Sequence, residues 1–236
     1  MNYNEINEVL SSLNKQSKLK KKKSCFLFGT TKKRINQNYY LTPNRESQKT
    51  IYAGAILNGN RIAKKLAKKI DGKVNYLFVD VEKKSTNKKD ILTNIERVTK
   101  GTIKKSIVKN YKPNDITVDS IENFIQDYFR KNLRGVGGKK ILILGSGNIG
   151  SKIAIRLLES GGNIFLFRRN KNKLKKISEV LNIIKPKHTK SRSNTISSNK
   201  LKFEDYDVII GCSDNEIRFK KIKKLFKKPL IIDVGK

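Results

Sequence analysis

The chain has 236 residues, which is room for one large α/β domain or two compact ones. Its formal net charge is +34, yet Lys greatly outnumbers Arg and the basic residues are spread over every segment. We attribute this charge to compositional bias. Nucleic-acid binding is not expected, because a basic stripe with interleaved aromatic residues is missing. Basic clefts that favour phosphate-bearing ligands are expected all the same.

The residue patterns also argue against a membrane protein, a metal-binding protein and a protein built on disulfide bonds. No apolar run approaches the ~18 residues of a membrane helix, and the N-terminus lacks the charged-then-apolar order of a signal peptide. The two cysteines, Cys25 and Cys212, have a spacing that suits neither a disulfide framework nor a metal site. We therefore expect a cytoplasmic protein that binds no membrane and no metal ion.

The first half is predicted to contain a basic arm and a small α/β domain. The pattern of residues 1–23 predicts a short polar helix followed by a Lys run, and we assign these residues to a basic polar arm. Residues 24–134 are assigned to an N-terminal α/β domain that binds a substrate or a partner. Its predicted elements are a buried strand at 25–29, an irregular stretch at 30–48, a helix at 50–70, a strand at 74–81, a helix at 90–109 and a helix capped by Thr117.

The second half, residues 139–236, follows a glycine-rich joint at 135–138, and we place the domain boundary between Leu133 and Lys139. Alternating strands and helices are typical of a parallel sheet with helices on its faces. The predicted fold class is therefore α/β, with a C-terminal Rossmann parallel sheet and a smaller N-terminal α/β domain. The predicted order is strand 141–144, helix 148–160, strand 163–167, helix 170–181, a basic insertion at 185–200, strand 207–212, helix 215–226 and strand 230–234.

A G-x-G-x-x-G motif stands between the first strand and helix of this second half. Gly145 permits a tight turn, Gly147 lets a pyrophosphate approach the backbone, and Gly150 lets the helix pack on the strand. The helix start then directs free N–H groups and its positive dipole end at the phosphates. The remaining predicted cofactor-binding residues of this turn are Ser146, Asn148 and Ile149.

The end of the next strand indicates which dinucleotide is bound. Proteins that bind NAD place an Asp or Glu there to hold the ribose hydroxyls. Here Arg168 and Arg169 stand at that point, 19 positions beyond Gly150 in the case of Arg169, and Lys173 follows. Guanidinium groups can hold a 2′-phosphate, so the sequence predicts NADP as the cofactor.

Several other classes fit the sequence less well. A methyltransferase would also require an acidic residue at the ribose, and the Tyr-x-x-x-Lys pair of short-chain dehydrogenases does not occur. His188, the sole histidine, lies in the basic insertion, which disfavours a histidine acid/base like that of 2-hydroxy-acid dehydrogenases.

Residues 141–173 resemble the cofactor domain of shikimate dehydrogenases and glutamyl-tRNA reductases. Arg168-Arg169-Asn170 with Lys173 matches the arginine and the later base of their Asn-Arg-Thr stretch, but not its flanking Asn and Thr. Residues 205–213 are similar to that family's strand beside the nicotinamide, which implies that Cys212 and Ser213 contact the cofactor. Residues 230–235 also resemble the Ile-Asp-Val-Gly of methylene-tetrahydrofolate dehydrogenases.

In that superfamily an N-terminal domain supplies substrate and catalytic groups across a cleft. Asn114 and Asp115 occupy the place of an Asn-Thr-Asp stretch, so the resemblance implies that Asp115 assists proton transfer; a helix-capping turn is the alternative. Asp80 and Glu82 end a predicted strand and are further candidates for that cleft. The family's Ser-x-Ser, Tyr-x-x-x-Lys and reactive-cysteine motifs are missing from the N-terminal half. A chain that ends just after the last strand is expected of a shortened member of the family or of a truncated product.

The function predicted from the sequence is that of an NADP-dependent oxidoreductase acting on a small-molecule substrate in an interdomain cleft. A non-catalytic dinucleotide-binding sensor or scaffold is the alternative. A homodimer is one assembly open to such a protein.

Overall fold

The structure is a computed structural model that describes residues 3–30, 38–82, 94–213 and 229–234. Its contacts divide the chain into two compact units, an N-terminal unit (Met1–Pro113) and a C-terminal unit (Asn114–Lys236). Each unit contains one five-stranded sheet. No helix in the described part of the chain is long and apolar enough to cross a membrane.

The element bounds are as follows. The helices are α1 (Tyr3–Leu19), α2 (Asn60–Ile70), α3 (Ile95–Lys100), α4 (Pro113–Tyr128), α5 (Asn148–Glu159) and α6 (Lys171–Ile184). The strands are β1 (Lys23–Gly29), β2 (Tyr39–Glu46), β3 (Thr50–Leu57), β4 (Tyr76–Asp80), β5 (Ile107–Tyr111), β6 (Lys140–Leu144), β7 (Asn163–Phe167), β8 (Ser193–Thr195), β9 (Val208–Gly211) and β10 (Leu230–Asp233).

The N-terminal unit has strand order β2-β3-β1-β4-β5, in which β2 is antiparallel to β3 and the other pairings are parallel. Helix α1 belongs to this unit because it buries Ile6, Leu10 and Leu13 in the same core as the sheet. The assignment of residues 1–23 to an arm is therefore corrected. The predicted polar helix is present, but its apolar stripe is packed rather than solvated.

Three further predictions for this half need correction. Residues 50–70 form a strand and then a helix, since β3 ends at Leu57 and α2 begins at Asn60 after Gly59, whose φ is +97°. Part of the irregular stretch at 30–48 is the edge strand β2. Among the described residues of the helix predicted at 90–109, only α3 is helical, and residues 107–109 belong to β5; residues 83–93 lie outside the described residues.

The C-terminal unit confirms the predicted Rossmann sheet. Its order is β10-β9-β6-β7-β8, and every pairing in it is parallel. Starting from β6, the chain adds β7 and β8 on one side and then returns to add β9 and β10 on the other, which is the doubly wound arrangement. The strand and helix predictions from 141 to 181 are confirmed to within a few residues. The helix predicted at 215–226 lies outside the described residues.

Helix α4 packs into the C-terminal core, where it buries Val118, Ile121 and Ile125. The structure accordingly separates its two units between Pro113 and Asn114, whereas the sequence suggested the glycine joint after Leu133. The joint itself contributes Val136 to the same core. A glycine-rich stretch thus marks a turn within the unit.

The basic insertion at 185–200 contains the short strand β8. Polar side chains of α6 form hydrogen bonds with this strand. The amide of Asn182 makes two bonds to Ser193, donating from Nδ2 to the carbonyl oxygen at 2.8 Å and accepting from the N–H at 2.9 Å. Ser178 Oγ donates to the same carbonyl oxygen at 2.9 Å. These hydrogen bonds add to the apolar contact that Ile196 of the insertion makes with Leu142, Tyr206 and Ile209.

We expect Asn182→Ala to lower the free energy of unfolding by about 1–3 kcal/mol, because it leaves a buried backbone N–H at Ser193 without a partner. Chemical denaturation followed by circular dichroism measures this change. The matched control is Asn172→Ala, at an exposed position of the same helix, which should change stability by less than about 0.5 kcal/mol. Equal effects from the two variants would contradict the role assigned to Asn182.

Candidate functional site

The candidate site lies at the carboxyl ends of β6, β7 and β9. The chain leaves β6 toward β7 on one side, and β9 returns on the other, so β6 and β9 flank the point where the strand order reverses. In open parallel sheets a crevice forms outside the carboxyl ends at such a point. The turn from β6 into α5 contains the glycine motif, and β9 ends at Gly211 beside it.

Two of the three glycines are required by close main-chain contacts. Gly145 has φ +103°, and a Cβ there would lie 2.8 Å from the carbonyl oxygen of Cys212. A Cβ on Gly150 would overlap the carbonyl oxygen of Gly145. Both positions therefore allow the turn, the start of α5 and the end of β9 to approach more closely than side chains would permit.

Gly147 differs from the other two because no described residue beyond its chain neighbours lies within 4 Å of the position its Cβ would take. It is exposed and precedes α5 as the N-cap residue, without a side-chain capping hydrogen bond. Asn148, which is exposed, and Ile149, which is half-buried, open the helix, and its first turn contains no acidic residue. The first N–H groups of a helix have no partner within it, so this start presents donors and positive potential to an anion.

Ser146, between the first two glycines, is buried to 1% relative exposure, and its hydroxyl oxygen has no hydrogen-bond partner among the residues that the structure describes. A buried polar group in that state costs about 1–3 kcal/mol relative to a satisfied one. Unsatisfied groups of this kind are rare in folded proteins and often mark a place where a ligand or water supplies the partner.

The three basic residues after β7 differ in burial and in hydrogen bonding. Arg168 is half-buried and donates from Nη1 to the carbonyl oxygen of Ser146 at 2.7 Å. Arg169 is exposed and makes no hydrogen bond or ion pair with any residue that the structure describes. Lys173 is exposed in the first turn of α6, which Asn170 caps by accepting from the Lys173 N–H at 2.9 Å.

Cys212 and Ser213 follow β9 and face the glycine turn through their main chain. The Cys212 N–H donates to the carbonyl oxygen of Leu144 at 2.8 Å, which continues the pairing of β9 with β6. Burial, with the Asp233 carboxylate adding to it, raises the pKa of the Cys212 thiol to about 12. The thiol is therefore neutral at physiological pH and is a poor nucleophile.

Asn114 and Asp115 lie in the first turn of α4, and the Asp115 carboxylate forms an ion pair with Lys152 of α5. This pair starts a series of polar contacts between the two helices. Arg156 pairs at 2.8 Å with Asp119 and with Glu122, and Gln126 Nε2 donates to Ser160 Oγ at 2.9 Å. The sequence did not reveal Lys152, since the matching four-residue spacing on the two helices has meaning only once they are known to be neighbours.

In the N-terminal unit, Asp80 is buried to 2% relative exposure and fastens the segments that follow β1 and β4. One of its oxygens accepts from the N–H and the hydroxyl of Thr30 at 3.2 and 2.9 Å, and the other accepts from the Glu82 N–H at 2.7 Å. No group of three or more potential ligands for a metal ion exists among the residues described.

Residues 140–235 match a family model described as "NADP oxidoreductase coenzyme F420-dependent". The match lies within the C-terminal unit and covers the glycine turn and the sheet around it. The C-terminal unit is therefore similar in sequence to a nucleotide-binding domain of oxidoreductase type. The narrower relationship to shikimate dehydrogenases, glutamyl-tRNA reductases and methylene-tetrahydrofolate dehydrogenases stays a prediction. No curated protein sequence matches the chain significantly.

Similar solved structures are remote. L-tryptophan dehydrogenase from Nostoc punctiforme is 13% identical, with a TM-score of 0.49, and the likeness covers 91% of this chain and 63% of that one. For 5-ketofructose reductase of Gluconobacter sp. strain CHM43 the identity is 14%, the TM-score 0.44 and the coverage 90% and 79%. For ornithine transcarbamoylase from Giardia lamblia these values are 12%, 0.42, 96% and 80%. Likenesses at this level are not evidence of a shared activity.

The chain spans 63% of the length of the tryptophan dehydrogenase and 60% of the length of a glutamate dehydrogenase from Thermus thermophilus.

The glycine geometry predicts opposite outcomes for two similar substitutions. Gly145→Ala should lower the free energy of unfolding by about 2 kcal/mol or more, because it combines a positive φ with a clash against the Cys212 main chain. Gly147→Ala should change it by less than about 1 kcal/mol, because φ is −82° there and the space is open. Urea denaturation of both variants checks the contrast, and a Gly147 variant as unstable as the Gly145 one would disprove it.

Proposed function

We propose that this protein is an NADP-dependent oxidoreductase that acts on a small-molecule substrate. The observation that carries the proposal is the pairing of two features in one turn. The start of α5 at Gly147 is open and uncapped, and the buried hydroxyl of Ser146 beside it lacks a partner in the described part of the chain. A ligand with several acceptor oxygens satisfies both.

A pyrophosphate fits this turn on three physical grounds. Its charge is favoured at the positive end of the α5 dipole, and its oxygens accept from the free N–H groups of the first turn. The space next to Gly147 allows the phosphates to reach the backbone, since no atom lies within 4 Å of the missing Cβ. Ser146 can supply a hydroxyl donor. We assign Gly145, Ser146, Gly147, Asn148, Ile149 and Gly150 to this part of the cofactor site.

The preference for NADP rests on the residues after β7. Arg169 and Lys173 are exposed cations near the start of α6, whose first turn contains no acidic residue. A 2′-phosphate would gain charge-assisted hydrogen bonds there, whereas a ribose with two free hydroxyls would find no carboxylate to accept from them. Arg168 is assigned to the cofactor site through its hydrogen bond to the carbonyl oxygen of Ser146.

Cys212 and Ser213 are assigned to the nicotinamide end of the cofactor, which supplies or accepts a hydride when bound. The neutral Cys212 thiol offers a small, weakly polar surface without a charge next to the ring. Substrate or partner binding is assigned to the N-terminal unit.

A binding protein without catalysis, a sensor or scaffold, is the second candidate. It is favoured by the fact that the acids considered for proton transfer already have structural contacts: Asp115 pairs with Lys152, and Asp80 holds Thr30. Turnover distinguishes the two candidates. A screen with NADPH should cover 3-oxo, enone and imine compounds, and should include coenzyme F420 because the matched family model names it.

We expect the protein to bind NADPH more tightly than NADH, and Arg169→Ala to weaken NADPH binding by about tenfold while changing NADH binding by less than about twofold. Quenching or enhancement of nicotinamide fluorescence at one fixed salt concentration measures both affinities. The charge-matched control is Arg192→Ala, at an exposed position next to β8. Absence of NADPH binding, or tighter binding of NADH by the unmodified protein, would overturn the proposal.

The proposed role of Asp115 in proton transfer has a control on the same helix. Asp115→Asn and Asp119→Asn each remove one carboxylate that pairs with a cation of α5. If Asp115 handles a proton, Asp115→Asn should lower kcat by about 100-fold or more while Asp119→Asn changes it little. The measurement uses a substrate from the NADPH screen. Similar small losses in both variants would leave Asp115 with a purely structural role.

A further inference from the structure

The glycine turn is tied to the end of β7 at two successive places. The Gly145 N–H donates to the carbonyl oxygen of Phe167 at 2.9 Å, and the carbonyl oxygen of the following residue, Ser146, accepts from Arg168 Nη1 at 2.7 Å. The second bond is charge-assisted, and the Arg168 side chain that makes it is half-buried. One guanidinium donor of Arg168 is therefore already used within the protein.

This bond sets the direction of the Gly147 N–H. The Ser146 carbonyl and the Gly147 N–H belong to one planar peptide group, and no cis peptide bond is present in the described chain. In a trans peptide the C=O and N–H point in opposite directions. Because the carbonyl of Ser146 is held toward Arg168, the N–H of Gly147 points away from it. A cation at the carbonyl also polarises the peptide and strengthens that N–H as a donor.

Without Arg168 little would resist a rotation of this peptide. The rotation changes φ of Gly147, and glycine adopts positive and negative φ with similar ease. No atom within 4 Å of its absent Cβ hinders the movement. In the described part of the chain, the other side-chain bond to the Ser146 carbonyl oxygen comes from Ser151 Oγ at 3.4 Å, which is long for a hydrogen bond between oxygens.

We propose that Arg168 is a positioning residue for the pyrophosphate: it holds the Ser146–Gly147 peptide so that the Gly147 N–H is available to an anion. Recognition of the 2′-phosphate then falls to Arg169, which has no partner in the described chain, and to the start of α6. This division of roles rests on the proposed function. The sequence alone suggested that both guanidiniums serve the 2′-phosphate.

The roles of Arg168 and Arg169 are distinguished by comparing a ligand that lacks the 2′-phosphate with one that contains it. ADP has the pyrophosphate alone, whereas NADPH has both groups. Calorimetric titration of Arg168→Ala should show ADP and NADPH weakened by a similar factor of about tenfold or more. In Arg169→Ala, NADPH should be weakened by about tenfold and ADP by less than about twofold.

A second measurement requires no ligand. In ¹H–¹⁵N correlation spectra the Gly147 amide resonance should move in Arg168→Ala and stay in place in Arg169→Ala, because only the first variant frees the peptide. Matching thermal melting curves show that both variants are folded. If Arg168→Ala does not fold, Arg168→Lys, which shortens the reach to the carbonyl oxygen, replaces it in both measurements.

The outcomes separate the two proposals. If the unmodified protein binds neither ADP nor NADPH, the proposed function fails, and the Gly147 resonance still decides whether Arg168 holds the peptide. If it binds both, but Arg168→Ala weakens NADPH alone and leaves the Gly147 resonance unmoved, Arg168 is a phosphate ligand and the positioning role is wrong.

Discussion

The close approach of three main-chain segments is the constraint on which the C-terminal unit depends. The turn after β6, the first residues of α5 and the end of β9 meet where side chains at Gly145 or Gly150 would collide with backbone atoms. This contact determines where α5 begins and therefore where its free N–H groups point. It also encloses Ser146, whose hydroxyl finds no partner in residues 3–30, 38–82, 94–213 and 229–234. The proposed anion site is thus a consequence of how tightly the sheet and helix pack.

The few acidic residues of this very basic chain are used mainly to hold the fold together. Asp71 accepts from three successive N–H groups, those of residues 104–106, and Asp207 accepts from the Lys140 N–H at 2.9 Å. Hydrogen bonds from Lys20 and Lys22 lower the pKa of Glu46 to about 2. These carboxylates therefore stabilise contacts within the two units.

The sequence was most informative where a spacing has one physical meaning. Strand, glycine turn, helix and a second strand after the expected interval predicted the C-terminal unit closely. The prediction failed at residues 50–57, because Ala55 continues the helical spacing of Ile62 and Leu66, although the β-branched and aromatic residues around it favour a strand. The sequence could not predict contacts between segments that are far apart in the chain. The bond from Arg168 to Ser146 and the pair of Asp115 with Lys152 depend on which elements become neighbours in space.

The packing of α4 has a practical meaning for anyone who wishes to study the cofactor domain by itself. A recombinant fragment that begins at the glycine joint would discard Val118, Ile121 and Ile125, and would leave the α5 surface they cover open to water. Each such side chain contributes roughly 1.5–3 kcal/mol when buried. The fragment would also leave Arg156 without the carboxylates of Asp119 and Glu122. An autonomous folding unit therefore has to start at about Pro113.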